Sequence, residues 1–539
     1  MMKKTDKLDK LFMSKFAQYK RYIINLVMPA IIFGFITGTL TSFFVTLYKY
    51  LAHHVIHLSK IGYEFLREHI YLLPVVMLLL LGISFLLARI YRYVPNLKGG
   101  GIPTSVGILR GIITFKWLRT FVGVFLLSLL SFLIGVPLGN EGPSVQMGTS
   151  LGRSTVKLFT KTHGAWDRYS MTGGACAGFS VATGAPISGI LFAIEEAHQR
   201  VSPMIVIVAS SSVVFSTIAS HIFAPFFGVS TSLFGDIVIP KLAIKQLWIP
   251  LIVGIVVGLF GAVILRYYQF LKYFFSGVLK RVPSFVKIFM ILSLTAVVGV
   301  FSFSSVSTGH DLILDLLTPE NTFTIGILIF ILIVRSTLTI GANTNGITGG
   351  MFIPSLALGA TLSAVVGKIA IMCGLDQSLY TIILVLGLVA CLSGFMKSPL
   401  TAIVFAIEAL SCHQNIISVI MVSLIAYFVT EVFSTKSIND SAMESRVEEL
   451  NHGKSAKVVD RHIVVRAGSF AHGKQIRDIF WPANLFVLSV KKSKDKSEEV
   501  DEHGGKELRT GDILHVQYST FNEYETELEL EDIVGKQSY

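Results

Sequence analysis

One carboxylate stands where ionisable side chains are rare. Glu141 lies in the run Gly139-Asn140-Glu141-Gly142-Pro143-Ser144, directly after the apolar stretch 117–136. A charge in or beside a bilayer costs at least about 2.5–3.5 kcal/mol when nothing compensates it. The glycines and the proline predict a broken helix whose N-terminal amides face the same place as the carboxylate. Such amides bind anions, so the run predicts an anion site with an acid that competes for it. A helix-capping carboxylate near the membrane surface is the alternative.

The elements that must position Glu141 are membrane helices. Of the 539 residues, 52% are hydrophobic and 15% are charged, whereas a soluble domain carries about 25% charged residues. Apolar runs long enough to span a bilayer recur at residues 22–50, 71–90, 117–138, 203–227, 246–266, 284–304, 323–341 and 414–434. The sequence therefore predicts a polytopic membrane protein.

The charge pattern predicts the orientation. Residues 1–21 are basic and polar, which places this N-terminal segment in the cytoplasm by the positive-inside rule, and no signal peptide is evident. The net charge of +12 fits positive inner loops beside anionic membrane lipid, so no nucleic-acid partner is predicted. We expect a multi-pass protein of the plasma (inner) membrane with both termini cytoplasmic.

An internal repeat predicts the architecture. Residues 186–195 are echoed by residues 399–408, and Pro143-Ser144 is echoed by Pro354-Ser355, at offsets of 213 and 211 residues. Segments 139–152, 172–198, 341–363 and 391–409 mix small residues with proline and are predicted to be broken helices. Broken helices persist in a membrane where they are buried in protein or line a watery cavity. Repeated halves of this kind predict inverted topology and a binding site at the midplane.

The composition changes near residue 436, where the chain becomes charged and strand-like. Residues 22–446 are predicted to form the transmembrane domain, 447–456 a linker, and 457–539 a small cytoplasmic α/β domain. Within it we expect strands at 463–465, 485–491 and 512–518 and helices at 473–480 and 523–531. No GxGxxG fingerprint is present, so dinucleotide binding is not predicted.

Three glycine–proline motifs follow one another in a characteristic order: GGGIP at 99–103, GNEGP at 139–143 and GMFIP at 350–354. Together with the repeat, they resemble the CLC family of chloride channels and proton-coupled chloride transporters over residues 20–446. The resemblance implies an all-α membrane fold of roughly eighteen helical segments in two inverted repeats. It also implies a homodimer with one pore per subunit, and no cofactor is predicted.

The resemblance implies an anion path lined by backbone amides of the first and third motifs, with a side chain from the last membrane helix nearby. The residues it places there are Gly100, Gly101, Ile102, Pro103, Met351, Phe352 and Asn439. Helix N-termini offer about half a charge each, which holds a halide without trapping it. For any single motif, close packing of small residues between helices is an equally good explanation.

The resemblance also assigns roles to the carboxylates. Glu141 matches the external gating glutamate, which takes up a proton and releases the site to the anion. Glu196 matches the internal proton acceptor of the coupled members; a salt bridge at the dimer interface or the cytoplasmic rim is its alternative. Glu195 is expected to support Glu196 or to pair with a basic group, and Glu408 to be structural or a salt-bridge partner.

Three departures from the family pattern leave the anion open. Gly100 replaces a serine whose hydroxyl contacts the ion, Asn439 replaces a tyrosine, and Asn140 replaces an arginine before the gating glutamate. Losing two hydroxyl donors can lower anion affinity, change halide or nitrate preference, or loosen the coupling ratio, although the amide of Asn439 can still donate.

The tail resembles the TrkA-C (RCK-C) regulatory domain through Gly468, the segment 473–478 and the segment 509–514. That resemblance implies a small-molecule ligand, and a passive dimerisation domain is the alternative. The sequence as a whole predicts a proton-coupled chloride antiporter and not an enzyme. A passive ligand-gated chloride channel, or an exchanger for fluoride or nitrate, remains open. His53, His54 and His57 have metal-ligand spacing, but we expect interfacial side chains and no metal site.

Overall fold

The computed structural model describes residues 24, 27–159, 164–235, 237–318, 322–433, 436–451, 453, 455–492, 498–499, 504–505 and 507–537. The predicted cytoplasmic segment 1–21 therefore lies outside the described residues.

The described part of the membrane domain contains seventeen α-helices, most of them joined by short turns. They are α1 (Met28–Glu68), α2 (Leu73–Tyr93), α3 (Gly101–Leu109), α4 (Trp117–Ile134), α5 (Glu141–Phe159), α6 (Asp167–Thr183), α7 (Pro186–Phe192), α8 (Pro203–Phe227), α9 (Trp248–Tyr273), α10 (Ser284–Phe301), α11 (His310–Leu317), α12 (Ile325–Thr344), α13 (Phe352–Met372), α14 (Tyr380–Met396), α15 (Pro399–Glu408), α16 (Ile416–Val432) and α17 (Ile438–Leu450).

Ten helices in the described residues are long and apolar enough to cross a membrane. All eight predicted spans are among them; the sequence pattern missed Phe352–Met372 and Gln377–Met396. Their glycines and prolines suggested short, broken segments, but α14 is wholly buried and its small residues are packing sites. The segment 139–152, which was also predicted to be a broken helix, belongs to a longer one, because α5 continues without a break to Phe159.

The predicted breaks at two repeat-related places are confirmed. Between α6 and α7 the chain turns at Gly184, whose φ is +69°, and α7 restarts with Pro186. Between α14 and α15 it turns at Lys397, whose φ is +56°, and α15 restarts with Pro399. Proline suits the first turn of a helix because its missing N–H has no helical acceptor there.

Two carboxylates join the halves by capping each other's short helix. Glu408, at the end of α15, accepts hydrogen bonds from the backbone N–H groups of Ile187 (2.7 Å) and Ser188 (2.9 Å) at the start of α7. Glu195, just after α7, accepts from the backbone N–H groups of Leu400 (3.0 Å) and Thr401 (2.7 Å) at the start of α15. The two helices are thus antiparallel and exchange caps. Glu408 is structural, which is one of the two roles predicted for it. Glu195 was predicted to support Glu196 or to pair with a basic group, and the structure shows it as a helix cap.

Equivalent glycines form the helix crossings in both halves. A Cβ on Gly148 of α5 would lie 2.0 Å from the carbonyl oxygen of Gly174 of α6. In the second half, a Cβ on Gly359 of α13 would lie 2.7 Å from the carbonyl oxygen of Gly387 of α14. The helices in both pairs cross with their backbones in contact, which only glycine permits. The matching crossings, together with the antiparallel α7 and α15, confirm the inverted repeat.

The tail forms a four-stranded antiparallel sheet in the order β1-β4-β2-β3, covered by one helix. Its elements are β1 (Lys457–Val464), β2 (Leu485–Lys491), β3 (Glu498–Glu499), β4 (Ile513–Thr520) and α18 (Glu523–Val534). The predicted helix at 473–480 is wrong: a single 3-10 turn, Ile476–Asp478, occupies that place. Its apolar residues pack against the membrane domain instead of forming one helical face.

Candidate functional site

The three glycine–proline motifs meet at one place in the described structure. Gly139 and Gly350 exchange two backbone hydrogen bonds, each with an N–O distance of 2.7 Å. The amide of Gly349 donates to the carbonyl oxygen of Gly99 at 3.3 Å. Each motif leads directly into a helix, so the N-termini of α3, α5 and α13 converge there. Free N–H groups of three first turns therefore share one small region.

The glycines are required by this convergence. A Cβ on Gly101 would lie 2.0 Å from the carbonyl oxygen of Gly142, and one on Gly142 would lie 2.8 Å from the Cα of Gly350. Close packing, the alternative explanation of the motifs, is therefore real. It does not compete with anion binding, because the same close approach brings the helix N-termini together.

Glu141 begins α5 at this convergence and is fully buried. Within the described residues, neither carboxylate oxygen has a hydrogen-bond partner of good geometry. Its own backbone N–H and that of Ile353 are the donors that approach it. Burying an ionised carboxylate without hydrogen-bond partners costs free energy. Such a residue is explained if it takes up a proton, or if it occupies a site that also binds an anion.

Two basic side chains that the sequence did not single out lie within electrostatic reach of Glu141. They are Lys49 of α1 and His310 of α11. The Lys49 Nζ donates to the carbonyl oxygens of Val181 (3.3 Å) and Ser230 (3.2 Å), which holds it beside the end of α6. A lone lysine within the apolar run 22–50 was the only available signal.

The other residues of the predicted anion path are buried around the convergence. Gly100 and Met351 precede the first turns of α3 and α13, and Ile102 and Pro103 lie in the first turn of α3. Phe352 packs edge-on against Phe179 and Phe405, with ring centroids 5.2 and 5.3 Å apart. One helix from each half of the repeat, α6 and α15, thus packs against its ring.

Glu196 lies by the C-terminal end of α3, where Arg110 donates to its carbonyl oxygen, on the side where the tail packs. Its carboxylate accepts a hydrogen bond from the side-chain amide of Asn439, at the start of α17. The same amide nitrogen also contacts the sulfur of Met396 at 3.3 Å. Both Glu196 and Asn439 line a cavity of about 30 Å³. The donor that was predicted for the anion path is therefore directed at the second carboxylate.

Asn343 is a polar residue at the convergence that sequence reasoning missed. It is 5% exposed, and its Oδ1 accepts from the hydroxyl of Tyr268 at 3.1 Å. Its Nδ2 finds no hydrogen-bond partner among the described residues and lies 3.3 Å from where a Cβ on Gly100 would be. The glycine at position 100, where the family pattern has a serine, was the signal in the sequence, because a missing side chain leaves room for the side chain of another residue.

A family model described as voltage gated chloride channel matches residues 83–431, which is more than half of the chain. The chain belongs to the voltage-gated chloride channel family. Among its relatives, proteins named H(+)/Cl(-) exchange transporter ClcA from Citrobacter koseri and Salmonella typhi are 28% and 27% identical over 395 residues, covering 70% of this chain and 80% of theirs.

Solved structures of the family share its fold with this chain. A slow cyanobacterial Cl-/H+ antiporter superposes with a TM-score of 0.67 at 24% identity, covering 78% of this chain and 99% of that one. A CLC-type fluoride/proton antiporter superposes with a TM-score of 0.60 at 18% identity, covering 75% and 96%.

The described part of this family member contains no group of three His, Cys, Asp or Glu side chains placed to hold a metal ion. His53, His54 and His57 are exposed on α1.

Proposed function

We propose that the protein is a proton-coupled anion antiporter that exchanges chloride for protons. The observation that carries this proposal is Glu141, a buried carboxylate without a hydrogen-bond partner where three helix N-termini converge. The names of the ClcA relatives support chloride and protons as the exchanged ions. A secondary transporter of this kind catalyses no chemical reaction.

In this mechanism Glu141 is both gate and external proton acceptor. Ionised, it occupies the electropositive place that the helix N-termini create, and it excludes the anion. Protonated, it loses that attraction and leaves the place to chloride. One group thus links proton uptake to anion entry, which is what exchange requires.

Glu196 is the internal proton relay. It is half-buried on the tail side of the domain, where a small cavity gives it polar neighbours. The amide of Asn439 orients its carboxylate, so we assign Asn439 first to the proton route. The anion path proper is lined by the amides around Gly100, Gly101, Ile102 and Pro103 and around Met351 and Phe352.

The tail supports the proposed orientation. The Ser202 hydroxyl donates to Asp478 Oδ1 of the tail at 3.1 Å. Ser202 follows Glu196 by only six residues, so the tail and Glu196 lie on the same side of the membrane domain. With the tail in the cytoplasm, Glu196 faces inward and both termini are cytoplasmic. The domains 1–21, 22–446, 447–456 and 457–539, the homodimer, and a TrkA-C-like tail with a small-molecule ligand belong to this proposal.

The decisive experiment measures proton and chloride flux in liposomes that hold the full-length protein under a chloride gradient. Wild type should drive protons uphill. Glu196→Gln should abolish proton movement while chloride still crosses, and Glu141→Gln should remove proton coupling because the gate no longer titrates. Glu64→Gln, an exposed carboxylate on α1, is the matched control and should exchange like wild type.

Chloride flux without proton movement in wild type would contradict exchange and identify a passive channel. Repeating the assay with fluoride and nitrate in place of chloride tests the anion. Proton movement that is larger with either ion than with chloride would overturn the assignment of chloride.

A further inference from the structure

A cavity of about 450 Å³ lies apart from Glu141, Glu196 and the small cavity between Glu196 and Asn439. It is enclosed by the C-terminal ends of α2, α9 and α12, the N-terminal end of α10, and α17. Since α17 starts beside Glu196 and leads into the tail, the cavity lies on the side of the membrane domain that carries the tail. We call it the α17 cavity.

The lining of the α17 cavity is strongly basic. Its cationic side chains are Arg92, Lys98, Lys272, Lys287 and Arg446, and its carboxylates are Glu448 and Glu449. The excess is three positive charges, and Glu449 already forms an ion pair with Lys98. Such an excess attracts an anion with more than one charged oxygen.

Arg446 is the cation that the fold holds in place. It is 8% exposed, and its Nη1 donates to the carbonyl oxygen of Pro95 at 3.2 Å. A Cβ on Gly99 would lie 2.5 Å from its Nη2, so a glycine makes room for the guanidinium. In the described part of the chain this is its one hydrogen bond, although a guanidinium has five N–H donors. Donors of a buried cation are best satisfied by a charged acceptor such as phosphate.

The surroundings of the cavity favour a lipid as the source of that phosphate. The outward surfaces of α2 and α10 carry large exposed apolar side chains, among them Leu79, Phe85 and Met290, as expected where a helix faces lipid. Apolar side chains of Ala88, Phe275 and Ile288 also line the cavity. A soluble anion makes no favourable contact with an apolar wall, whereas a phospholipid has both a phosphate for the basic side chains and acyl chains for the apolar ones. Basic pockets between membrane helices on the cytoplasmic side suit such headgroups.

We propose that the α17 cavity binds a phosphate-bearing anionic ligand, and that this ligand is the headgroup of an anionic phospholipid from the surrounding bilayer. The site includes neither Glu141 nor Glu196, and Asn343 borders both the cavity and the convergence of the three helix N-termini. The site is joined to the transport residues by α17, where Arg446 lies seven residues, or about two helical turns, after Asn439.

The test compares lipid binding by two double variants of the full-length protein. Lys272→Gln/Lys287→Gln removes two charges from the cavity. Lys116→Gln/Arg119→Gln removes two exposed charges at the start of α4 and serves as the matched control. The purified proteins are titrated in neutral detergent with dioleoylphosphatidylglycerol, with phosphatidylcholine of the same chains, and with inorganic phosphate. Bound lipid is counted by native mass spectrometry, and the thermal unfolding midpoint is recorded.

Wild type should bind phosphatidylglycerol in preference to phosphatidylcholine. The cavity variant should bind it about tenfold more weakly, since each basic side chain contributes to headgroup affinity, and the control should match wild type. Lys272→Arg/Lys287→Arg, which keeps the charge, should retain binding and shows that loss in the glutamine variant is not misfolding. Equal weakening in both glutamine variants, or equal binding of the two lipids, would overturn the proposal. Stabilisation by inorganic phosphate equal to that by phosphatidylglycerol, and lost in the cavity variant, would support the phosphate site and overturn the lipid as its source.

Discussion

At the scale of single residues, a buried carboxylate and a buried amide lie beside the converging glycine motifs, Glu141 at Gly139 and Asn343 at Gly100. Glu141 lacks a hydrogen-bond partner among the described residues, and so does the Nδ2 of Asn343. An unpaired buried polar group costs about 1–3 kcal/mol. We infer that an anion that enters when Glu141 leaves accounts for both groups. Asn343 then supplies the donor that Gly100 lacks.

We expect Asn343→Leu to weaken chloride binding about tenfold, because a hydrogen bond to an ion contributes about 1.5–3 kcal/mol. Isothermal titration of the purified protein with chloride measures this affinity. Tyr268→Phe is the control: it removes the hydroxyl that donates to the Oδ1 of Asn343 but leaves its Nδ2 in place. Unchanged chloride affinity in Asn343→Leu would exclude the amide as an anion donor.

At the scale of helices, the two short segments α7 and α15 depend on caps from the opposite repeat. Each is ten residues or shorter, and each N-terminus would otherwise leave its first N–H groups without acceptors. Glu408 caps α7 and Glu195 caps α15, so neither half completes its own short helix. Glu195, which was expected to support Glu196 or to pair with a basic group, takes part in this exchange. Both carboxylates line the small cavity, and Glu196 is the one of the pair that accepts from Asn439.

We expect Glu408→Ala and Glu195→Ala to destabilise the membrane domain by similar amounts, about 1–2 kcal/mol each, since each removes a cap. The midpoint of thermal unfolding in detergent, followed by size-exclusion chromatography, measures the effect. Glu64→Ala, at an exposed position on α1, should leave the midpoint unchanged. A large loss for one cap with none for the other would contradict the symmetric exchange.

At the scale of the whole molecule, the tail packs directly on the segment that carries Glu196. The Phe480 ring stacks on the His198 ring, with centroids 4.6 Å apart, and lies under the Arg200 guanidinium at 4.9 Å. Arg168, at the start of α6, donates to the carbonyl oxygen of Trp481 at 2.6 Å and pairs with Glu529. The tail is therefore placed to restrain the loop between α7 and α8, which positions the proposed proton relay.

We expect Phe480→Ala to loosen the tail and the α7–α8 loop together, since the ring is 4% exposed and truncating a buried phenylalanine costs about 3–5 kcal/mol. Hydrogen exchange in residues 193–202 should rise, and fewer protons should move per chloride in liposomes. Phe486→Ala removes a tail aromatic that is 66% exposed and should change neither measurement. Unaltered exchange in 193–202 would show that the tail does not restrain the loop.

The sequence by itself determined the class of protein, the internal repeat and the starts of the helices at the three glycine motifs, whereas the inverted arrangement of the two halves was decided by the tertiary structure. The features that the sequence determined can be recognised from its pattern: from the lengths of the apolar runs, from the positions of glycine and proline, and from the similarity of segments at a fixed offset. The tertiary structure alone decided that Asn343 lies beside Gly100, that Asn439 donates to Glu196, and that Glu195 and Glu408 exchange caps. It also decided that 473–480 is a docking turn. These contacts join residues far apart in the chain, and only the packing of whole helices brings them together, so no local pattern specifies them.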